Sequence, residues 1–385
     1  MSGQLPVDSC LQVKWLGADL ASVRAANPYT PGSAAKLVTA AVALDVLGPD
    51  TKFQTKVLVT RNADGSIADL FLVGGGDPLI VRSEYISTEK YKTFNQTSLE
   101  SLADRIVAAG VNSISGRVVG VDTYFDAERW VPDWPVEFHF TEAGPLGALM
   151  VNDGVVIGQP MKPDDPALGS ATELTGLLAA RGVTVAGGPA HDVLAQGASD
   201  LASIDSAPLT GIVEEMLVNS DNNTAEILLK HIGLKGKGAG STAAGLQIVA
   251  EHLKAWGADT SVVLKDGSGL SSSDKISCAD IHSLLERFKD ALPGLLPIAG
   301  ETGTLREAFT DSSLRGILRG KTGTLSGVKA LAGYVPLDGD DPVRFALLLN
   351  KTGIDNKSAY RPFWNSLANG LSRAASSPRP AELAP

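Results

Sequence analysis

An apolar helix that begins with a lysine restricts how this chain can fold. The stretch from Tyr29 to Gly48 reads YTPGSAAKLVTAAVALDVLG, and a Gly-Pro pair at 48–49 ends it. Residues three apart share a helical face, so the side chains of Ser33 and Lys36 point the same way from the first turn. Because the helix is otherwise apolar, we expect the amine of Lys36 to face a core. Burying an amine is costly, so its presence there indicates a specific role.

Length, composition and charge narrow the class of protein. The 385 residues, 44% hydrophobic and 20% charged, suffice for a substantial core and for two domains of a soluble globular protein. The net charge of −10 and the lack of a long basic run argue against binding to nucleic acids or anionic membranes. No apolar run approaches the length that crosses a bilayer. We predict no membrane span in this chain.

The first residues and the two cysteines bear on the compartment. The start, MSGQLPVDSC, lacks the charged region and apolar stretch of a secretory signal, which leaves a cytoplasmic protein or one whose signal has been removed. Cys10 and Cys278 allow one disulfide, but we expect two unrelated buried thiols.

Hydrophobic patterns indicate two chain ends separated by a middle module. A strand pair is predicted over 10–27, and a hairpin around the turn at Asp64-Gly65. Short strands, turns and two helical segments follow to about residue 204. Helical patterns then return, and the end of the chain is β-rich before a last helix. The three predicted C-terminal strands are GILRGKTGTLSG, VKALAGYVPLDG and DPVRFALLLNK.

Ser33 and Lys36 together can form a nucleophile without histidine. A serine in a first helical turn lies beside unsatisfied backbone N–H groups that can hold an oxyanion. A lysine packed among Ala34, Ala35 and Ala40 would lose solvation, which favours the neutral amine that can take the serine proton. The alternative is an ordinary serine near a helix N-terminus with a surface lysine, and this short pattern alone favours that alternative.

Two further stretches change this balance. VNSDNNTAE places the triplet Ser-Asp-Asn, 220–222, at a helical junction. RGKTGTLSG places the triplet Lys-Thr-Gly, 321–323, on a predicted strand. With Ser33 and Lys36 they match the three-part signature of serine acyl-transferases that act on D-Ala-D-Ala peptides and β-lactams.

On these residues the sequence resembles the class C low-molecular-mass penicillin-binding proteins, the D-alanyl-D-alanine carboxypeptidase/endopeptidases of the penicillin-binding protein 4 family. The resemblance covers nearly the whole chain. The gap between the first two motifs, far longer than compact β-lactamases allow, indicates an inserted module. The further matching segments are FQT, VGGGDPLI, VDTYFDAERWVPDWP, DGSGLSSSD, GTL and KTGTLSGVKALAGYV.

The resemblance implies a fold and domain boundaries. The fold class is α/β (α+β), a β-lactamase/transpeptidase-like domain whose antiparallel sheet is flanked by helices and assembled from both chain ends, plus an inserted α+β module. We predict the catalytic domain at 1–63 and 205–375 and the inserted module at 64–204. The Pro-rich tail, 376–385, is predicted to be disordered.

The resemblance also implies catalytic roles. Ser33 would be the nucleophile and Lys36 its general base. Ser220 would relay a proton toward the leaving amine, and Asn222 would hydrogen-bond the peptide backbone of the substrate. Lys321 would help to protonate the leaving group. Acylation with loss of D-alanine would then be followed by hydrolysis.

Further positions would bind the substrate. The hydroxyls of Thr322 and Thr324 would receive the terminal carboxylate of D-alanine, and the backbone N–H groups of Ser33 and Thr324 would form the oxyanion hole. Gly323 would let the substrate backbone approach the strand edge closely. Asp122 in VDTYF matches an acidic position that faces the amino group of the stem-peptide diamino acid, the alternative being a solvated turn carboxylate.

The chain departs from the family pattern at one position, and other segments resemble unrelated motifs. Where the family commonly has an arginine after DGSGLS, this chain has Ser272 and Ser273, which puts recognition of the peptide carboxylates in doubt. The segment GILRGKT fails as a phosphate loop, because Gly316 and Gly320 enclose three residues where four are required. We predict neither a metal nor a cofactor, since the five histidines lack metal-ligand spacing. They are His139, His191, His231, His252 and His282.

The predicted function is that of a serine D-Ala-D-Ala carboxypeptidase, with endopeptidase activity left open, that trims peptidoglycan stem peptides and is inhibited by β-lactams. Two alternatives remain: a penicilloyl-binding sensor or wall-binding scaffold with little turnover, and a β-lactamase. For the latter a deacylating base is missing, since Glu251 in EHLKAW lacks the required context. D-Ala-D-Ala lies outside the cytoplasmic membrane, so the resemblance implies an extracytoplasmic protein, in the periplasm, in the cell wall or secreted, whose signal peptide is absent from this sequence.

Overall fold

The computed structural model describes residues 5–259, 261–337 and 340–375. Its α-helices are α1 Lys36–Leu47, α2 Ser83–Ile86, α3 Leu99–Ala108, α4 Pro166–Ala180, α5 Leu209–Asn219, α6 Asn222–Lys237, α7 Thr242–Ala255, α8 Cys278–Arg287 and α9 Lys357–Ala375. Its strands are β1 Ser9–Trp15, β2 Ala18–Val23, β3 Pro28–Tyr29, β4 Gln54–Arg61, β5 Ile67–Val73, β6 Ile80–Val81, β7 Thr97–Ser98, β8 Ser113–Ile114, β9 Val118–Val121, β10 Thr184–Val185, β11 Ala190–His191, β12 Ser199–Asp205, β13 Ile276–Ser277, β14 Arg319–Leu325, β15 Val328–Leu337 and β16 Asp340–Asn350.

The chain forms two compact units. Unit 1 takes the described residues of Met1–Asp45, Val213–Ala225 and Leu246–Pro385. Unit 2 takes Val46–Ile212 and Glu226–Gly245.

The division differs from the predicted boundaries in one respect. The predicted module, 64–204, lies within unit 2, but unit 2 also includes 46–63, 205–212 and 226–245. The reason is strand pairing: β4 joins the same sheet as β5 and β12, so the predicted hairpin cannot be divided between two domains. The predicted disordered tail, 376–385, lies outside the described residues.

Unit 1 is built on a five-stranded antiparallel sheet in the order β14-β15-β16-β1-β2. Because successive strand residues face opposite sides, one face packs Leu331 and Phe345 against Trp364 of α9. On the other face the Tyr334 hydroxyl donates a hydrogen bond to Leu285 O of α8 at 2.8 Å. The predicted antiparallel sheet, flanked by helices and assembled from both chain ends, is confirmed.

A disulfide joins the N-terminal segment of unit 1 to its C-terminal segment. Cys10 in β1 and Cys278 at the start of α8 are bonded, with a Cα–Cα distance of 5.9 Å. Both cysteines are fully buried. The expectation of two unrelated thiols was therefore wrong. The reason is tertiary: α8 packs on β1, which brings together two cysteines 268 residues apart.

Unit 2 has its own mixed sheet in the order β11-β9-β5-β4-β12. The antiparallel pair β4–β5 is the hairpin predicted from Asp64-Gly65, whereas β9 and β11 add in parallel. Helices α3 and α4 cover this sheet and bury apolar residues such as Ile106 and Leu174 against Leu70.

The part of the chain that the structure describes contains neither a helix suited to cross a membrane nor a cluster of metal-binding side chains. None of its helices combines the length and the apolar character that crossing a bilayer requires. It also holds no cluster of three or more histidine, cysteine or acidic side chains arranged to bind a metal ion.

Candidate active site

The Ser33–Lys36 pair lies where a 3-10 turn, Gly32–Ala35, leads into α1. Lys36 is fully buried, which confirms that its amine is shielded from water. Its Nζ lies 3.0 Å from Ser33 Oγ, 2.6 Å from Asn222 Oδ1 and 2.7 Å from Ser268 O. The first two predicted motifs thus meet at this amine.

The groups that these three contacts join to Lys36 differ in what they can do. The amide oxygen of Asn222 and the carbonyl oxygen of Ser268 only accept hydrogen bonds, whereas the hydroxyl of Ser33 can also donate. A neutral amine has two hydrogens and one lone pair. If both hydrogens go to the two obligate acceptors, the lone pair faces the Ser33 hydroxyl, which is the arrangement a general base requires.

The second motif lies in the tight junction between α5 and α6. The carboxylate of Asp221 accepts hydrogen bonds from Thr224 N at 3.2 Å and from Thr224 Oγ1 at 2.6 Å, and so caps the first turn of α6. Ser220 has φ of +65°, a left-handed conformation that is uncommon for residues other than glycine. This strained turn presents Ser220 and Asn222 to the site.

Lys321 of the third motif faces the second. Its side chain is fully buried in β14, and its Nζ donates to Ser220 Oγ at 2.8 Å and to Thr322 O at 2.9 Å. Burial is the main cause that lowers the pKa of Lys321 well below its usual range. When protonated, Lys321 is therefore a stronger acid than an exposed lysine.

Two glycines let β14 lie directly against the turn that carries Ser33. A Cβ on Gly323 would lie 2.3 Å from Pro31 O, which is too close for any side chain. Gly32 has φ of +54°, and a Cβ there would lie 3.0 Å from Thr324 N. Packing against Pro31 is therefore sufficient to require glycine at position 323. The predicted contact of Gly323 with the substrate backbone stays a prediction. The close packing brings the Ser33 turn to Thr324 N, as the predicted oxyanion hole requires.

The two threonines of the third motif lie on the face of β14 opposite Lys321. Thr322 Oγ1 donates to Thr304 Oγ1 at 3.0 Å. Thr324 is exposed, and its Oγ1 accepts a hydrogen bond from Lys329 Nζ at 2.7 Å. Sequence reasoning assigned no role to Thr304 or Lys329.

The turn that supplies Ser268 O was also missed as part of the site. The buried carboxylate of Asp266 accepts the N–H groups of Gly269 and Ser271, each at 2.7 Å. Thr39 Oγ1 of α1 donates to Gly267 O at 2.6 Å. These contacts hold Ser268 O against Lys36. The turn lies in the segment DGSGLSSSD, which matches the family, but the contribution of a backbone carbonyl cannot be recognised from the type of residue.

Asp122 belongs to unit 2, whereas the three motifs belong to unit 1. Its carboxylate is buried and contacts Arg129 Nη2 at 2.6 Å and His191 Nε2 at 3.0 Å. The other ring nitrogen of His191 contacts Asp165 Oδ2 at 2.7 Å. The alternative of a solvated turn carboxylate is therefore wrong, and the predicted contact of Asp122 with substrate stays a prediction.

Solved structures share this fold. Penicillin-binding protein 4 from Haemophilus influenzae superposes with a TM-score of 0.77 at 19% identity, covering 95% of this chain and 98% of that chain. A predatory endopeptidase from Bdellovibrio bacteriovorus, solved in its penicillin G-acylated form with an immunity protein, superposes with a TM-score of 0.60 at 20% identity. That match covers 95% of this chain and 92% of the endopeptidase.

Sequence comparison identifies the family. A D-alanyl-D-alanine carboxypeptidase from Actinomadura sp. (strain R39) is 31% identical over 87% of this chain and 75% of the relative. The sequence profile of the D-Ala-D-Ala carboxypeptidase 3 (S13) family matches residues 13–166 and 158–368. The resemblance seen in the three motifs is thereby confirmed, and the chain belongs to the D-Ala-D-Ala carboxypeptidase 3 (S13) family of class C low-molecular-mass penicillin-binding proteins.

Proposed function

We propose that the chain is a serine D-Ala-D-Ala carboxypeptidase that trims peptidoglycan stem peptides through an acyl-enzyme on Ser33. The observation that carries this proposal is the contact of the buried Lys36 amine with Ser33 Oγ at 3.0 Å, with two obligate acceptors on its other sides. Family membership supplies the substrate class.

Acylation follows from these contacts. Ser33 Oγ attacks the carbonyl carbon of the D-Ala-D-Ala peptide bond while its proton passes to Lys36 Nζ. The N–H groups of Ser33 and Thr324 stabilise the oxyanion. As the C–N bond breaks, the Ser220 hydroxyl gives its proton to the leaving amine and is reprotonated by Lys321. The lowered pKa of Lys321 favours this last transfer.

Deacylation returns the site to its starting state. The amine of Lys36 now carries the proton taken from Ser33, and Lys321 lacks one. Water attacks the ester carbonyl and gives one proton to Lys321 through Ser220. The bond to Ser33 Oγ breaks, Ser33 takes back the proton held by Lys36, and the peptide leaves as a carboxylic acid. A β-lactam enters the same path when Ser33 Oγ opens its ring. The leaving nitrogen then stays tethered to the acyl group, which obstructs water and prolongs the adduct.

Endopeptidase activity would use the same acyl-enzyme. The structural relative from Bdellovibrio bacteriovorus is an endopeptidase acylated by penicillin G, which supports extending both properties to this chain. The disulfide between Cys10 and Cys278 supports an extracytoplasmic location, because such bonds persist in oxidising compartments.

Release of D-alanine from a diacyl-D-Ala-D-Ala peptide tests the proposal. The wild type should release D-alanine, and Ser33→Ala should reduce the rate to background. Ser366→Ala, at an exposed serine of α9, is the matched control and should keep the wild-type rate. Release by Ser33→Ala at the wild-type rate would rule out Ser33 as the nucleophile. A wild type that forms an adduct with benzylpenicillin but releases no D-alanine would be a penicilloyl-binding sensor instead.

A further inference from the structure

Lys329 is a buried cation that the mechanism above does not use. It lies in β15 directly across from Thr324 of β14, and only 9% of its surface is exposed. Its Nζ donates to Thr324 Oγ1 at 2.7 Å. The ring centroids of Tyr360 and Trp364 in α9 lie 4.3 Å and 5.1 Å from the same nitrogen.

The groups in direct contact with this ammonium are neutral. Within the described part of the chain, no carboxylate lies within 4.0 Å of Lys329 Nζ. A hydroxyl and two aromatic faces attract a cation but carry no negative charge. A buried ammonium normally pairs with an anion, because losing its hydration is costly. The environment of Lys329 is therefore suited to an anion supplied by a ligand.

The hydrogen bond to Thr324 has a direction. An ammonium can only donate, so Thr324 Oγ1 must accept from Lys329. The hydroxyl hydrogen of Thr324 is then directed away from the lysine. Because Thr324 itself is exposed, this hydrogen can reach a ligand at the surface of the strand. Lys329 thus fixes Thr324 as a hydrogen-bond donor.

We propose that Lys329 determines specificity for a substrate with a free terminal carboxylate, by orienting the Thr324 hydroxyl as a donor and by placing an unpaired positive charge beside it. This inference rests on the proposed function, in which Thr324 receives the carboxylate of D-alanine. Lys329 acts through Thr324 and is a positioning residue. A peptide that ends in an uncharged amide would gain little from this charge.

The charge of Lys329 is available at neutral pH. Burial and the nearby Arg361 lower its pKa to about 8, and Asp355 opposes this shift. The ammonium form therefore predominates at pH 7. In a poorly hydrated site its attraction for a carboxylate is stronger than it would be in water.

The test compares two peptides that differ only at the C-terminus, a diacyl-D-Ala-D-Ala acid and its amide. Dissociation constants are measured by calorimetry in the Ser33→Ala background, so the result does not depend on turnover. We expect this background protein to prefer the acid, and Lys329→Met to weaken acid binding by about tenfold to a hundredfold while amide binding changes little. Equal preference with and without Lys329→Met would overturn the proposal, as would failure of the background protein to bind the acid.

Further variants separate charge from packing. Lys329→Gln keeps a donor for Thr324 without the charge and should lose most of the preference, whereas Lys329→Arg should retain it. Lys289→Met removes a half-exposed lysine that pairs with Asp341, and should leave the preference unchanged. Thermal unfolding of each variant identifies any variant that fails to fold. If Lys329→Met does not fold, the comparison of Lys329→Gln with Lys329→Arg still tests whether the charge sets the preference. Release of D-alanine by the protein with Ser33 intact separately reports whether the proposed function holds.

Discussion

Lys36 and Lys321 are two fully buried lysines of unit 1, each in contact with a serine hydroxyl. Their surroundings differ in a way that assigns them different tasks. Lys36 contacts two obligate acceptors besides Ser33, so a neutral amine that donates its two hydrogens to them would have a lone pair for the serine proton. Lys321 contacts Ser220, and its pKa is lowered by burial, so it can give up a proton. In the proposed mechanism, one amine takes a proton as the other supplies one.

Replacing Lys36 with methionine should abolish the base while keeping the buried volume. We expect Lys36→Met to slow acylation by benzylpenicillin by about a hundredfold to ten-thousandfold, the usual contribution of a general base. Stopped-flow or quench measurements of adduct formation give the rate. Lys14→Met, at a partly exposed lysine of β1, should acylate like the wild type. Wild-type acylation by Lys36→Met would assign the base elsewhere.

At the level of single residues, the sequence predicted those site residues whose side-chain type and spacing are typical of this family. Three motifs can be recognised directly in the sequence. They are a serine and a lysine three residues apart, a Ser-Asp-Asn triplet and a Lys-Thr-Gly triplet. Ser268 was not predictable in its role, because its contribution is a backbone carbonyl. The position of Lys329 opposite Thr324 could have been predicted from the register of the β14–β15 hairpin. Its burial depends on packing against α9, which no local sequence pattern predicts.

At the level of helices and strands, the site depends on the contact between β14 and the turn before α1. Gly323→Ala would place a methyl group 2.3 Å from Pro31 O, so the strand would have to move away from the turn. We expect a loss of about 1–3 kcal/mol in unfolding free energy, typical of overpacking, together with slower acylation.

Gly320→Ala, in the same strand, is the matched control. Its nearest neighbour would be Ala332 O at 3.3 Å, which a small adjustment can accommodate. Urea unfolding and acylation by benzylpenicillin are measured for both variants. Equal effects of the two substitutions would show that close packing at Gly323 does not position the site.

In unit 2 a buried carboxylate joins the short parallel strands β6 and β7. Asp77 accepts hydrogen bonds from Leu79 N at 3.0 Å and from Thr97 Oγ1 at 2.5 Å, and burial raises its pKa from 3.8 to about 6. Its folded-state pKa exceeds its unfolded-state value, so its contribution to stability is fully present below about pH 4 and is lost as the pH rises through about 6.

Asp77→Asn should remove this pH dependence. The difference in unfolding free energy between variant and wild type should shift in favour of the variant by about 2 kcal/mol between pH 4 and pH 7, somewhat less than the full pKa shift because the unfolded carboxyl is already partly ionised at pH 4. Urea unfolding at several pH values gives the difference, in which other titrating groups cancel. A difference that is independent of pH would contradict the raised pKa of Asp77.

Helices and strands were largely predictable, and the boundary between units was less so. The hairpin at Asp64-Gly65 and the three C-terminal strands formed as their alternating patterns indicate. The start of unit 2 at Val46 depends on pairing of β4 with β12, which are far apart in sequence. Such long-range pairing leaves no local signal.

For the whole molecule, the disulfide cross-links the first strand of unit 1 to α8. It closes a loop of 268 residues, which limits the freedom of the unfolded chain. We expect reduction to cost about 2–5 kcal/mol of unfolding free energy. Urea unfolding of the wild type with and without reductant, with thiols counted to confirm reduction, measures this cost.

The control for this experiment removes both cysteines. The double variant Cys10→Ala, Cys278→Ala should be less stable than the oxidised wild type and indifferent to reductant. A fully reduced wild type as stable as the oxidised form would show that the cross-link contributes nothing. The sequence could not reveal this pairing, because two cysteines in a chain of this length are compatible with either state.

Formation of a covalent adduct on Ser33 tests the central claim most directly. Intact-protein mass is followed over time after addition of benzylpenicillin to the wild type and to Ser33→Ala. We predict a penicilloyl adduct that forms on the wild type, persists, and is absent from Ser33→Ala. An adduct that vanishes within seconds would indicate a β-lactamase. An unmodified wild type, or the same adduct on Ser33→Ala, would contradict the assignment of Ser33 as the nucleophile.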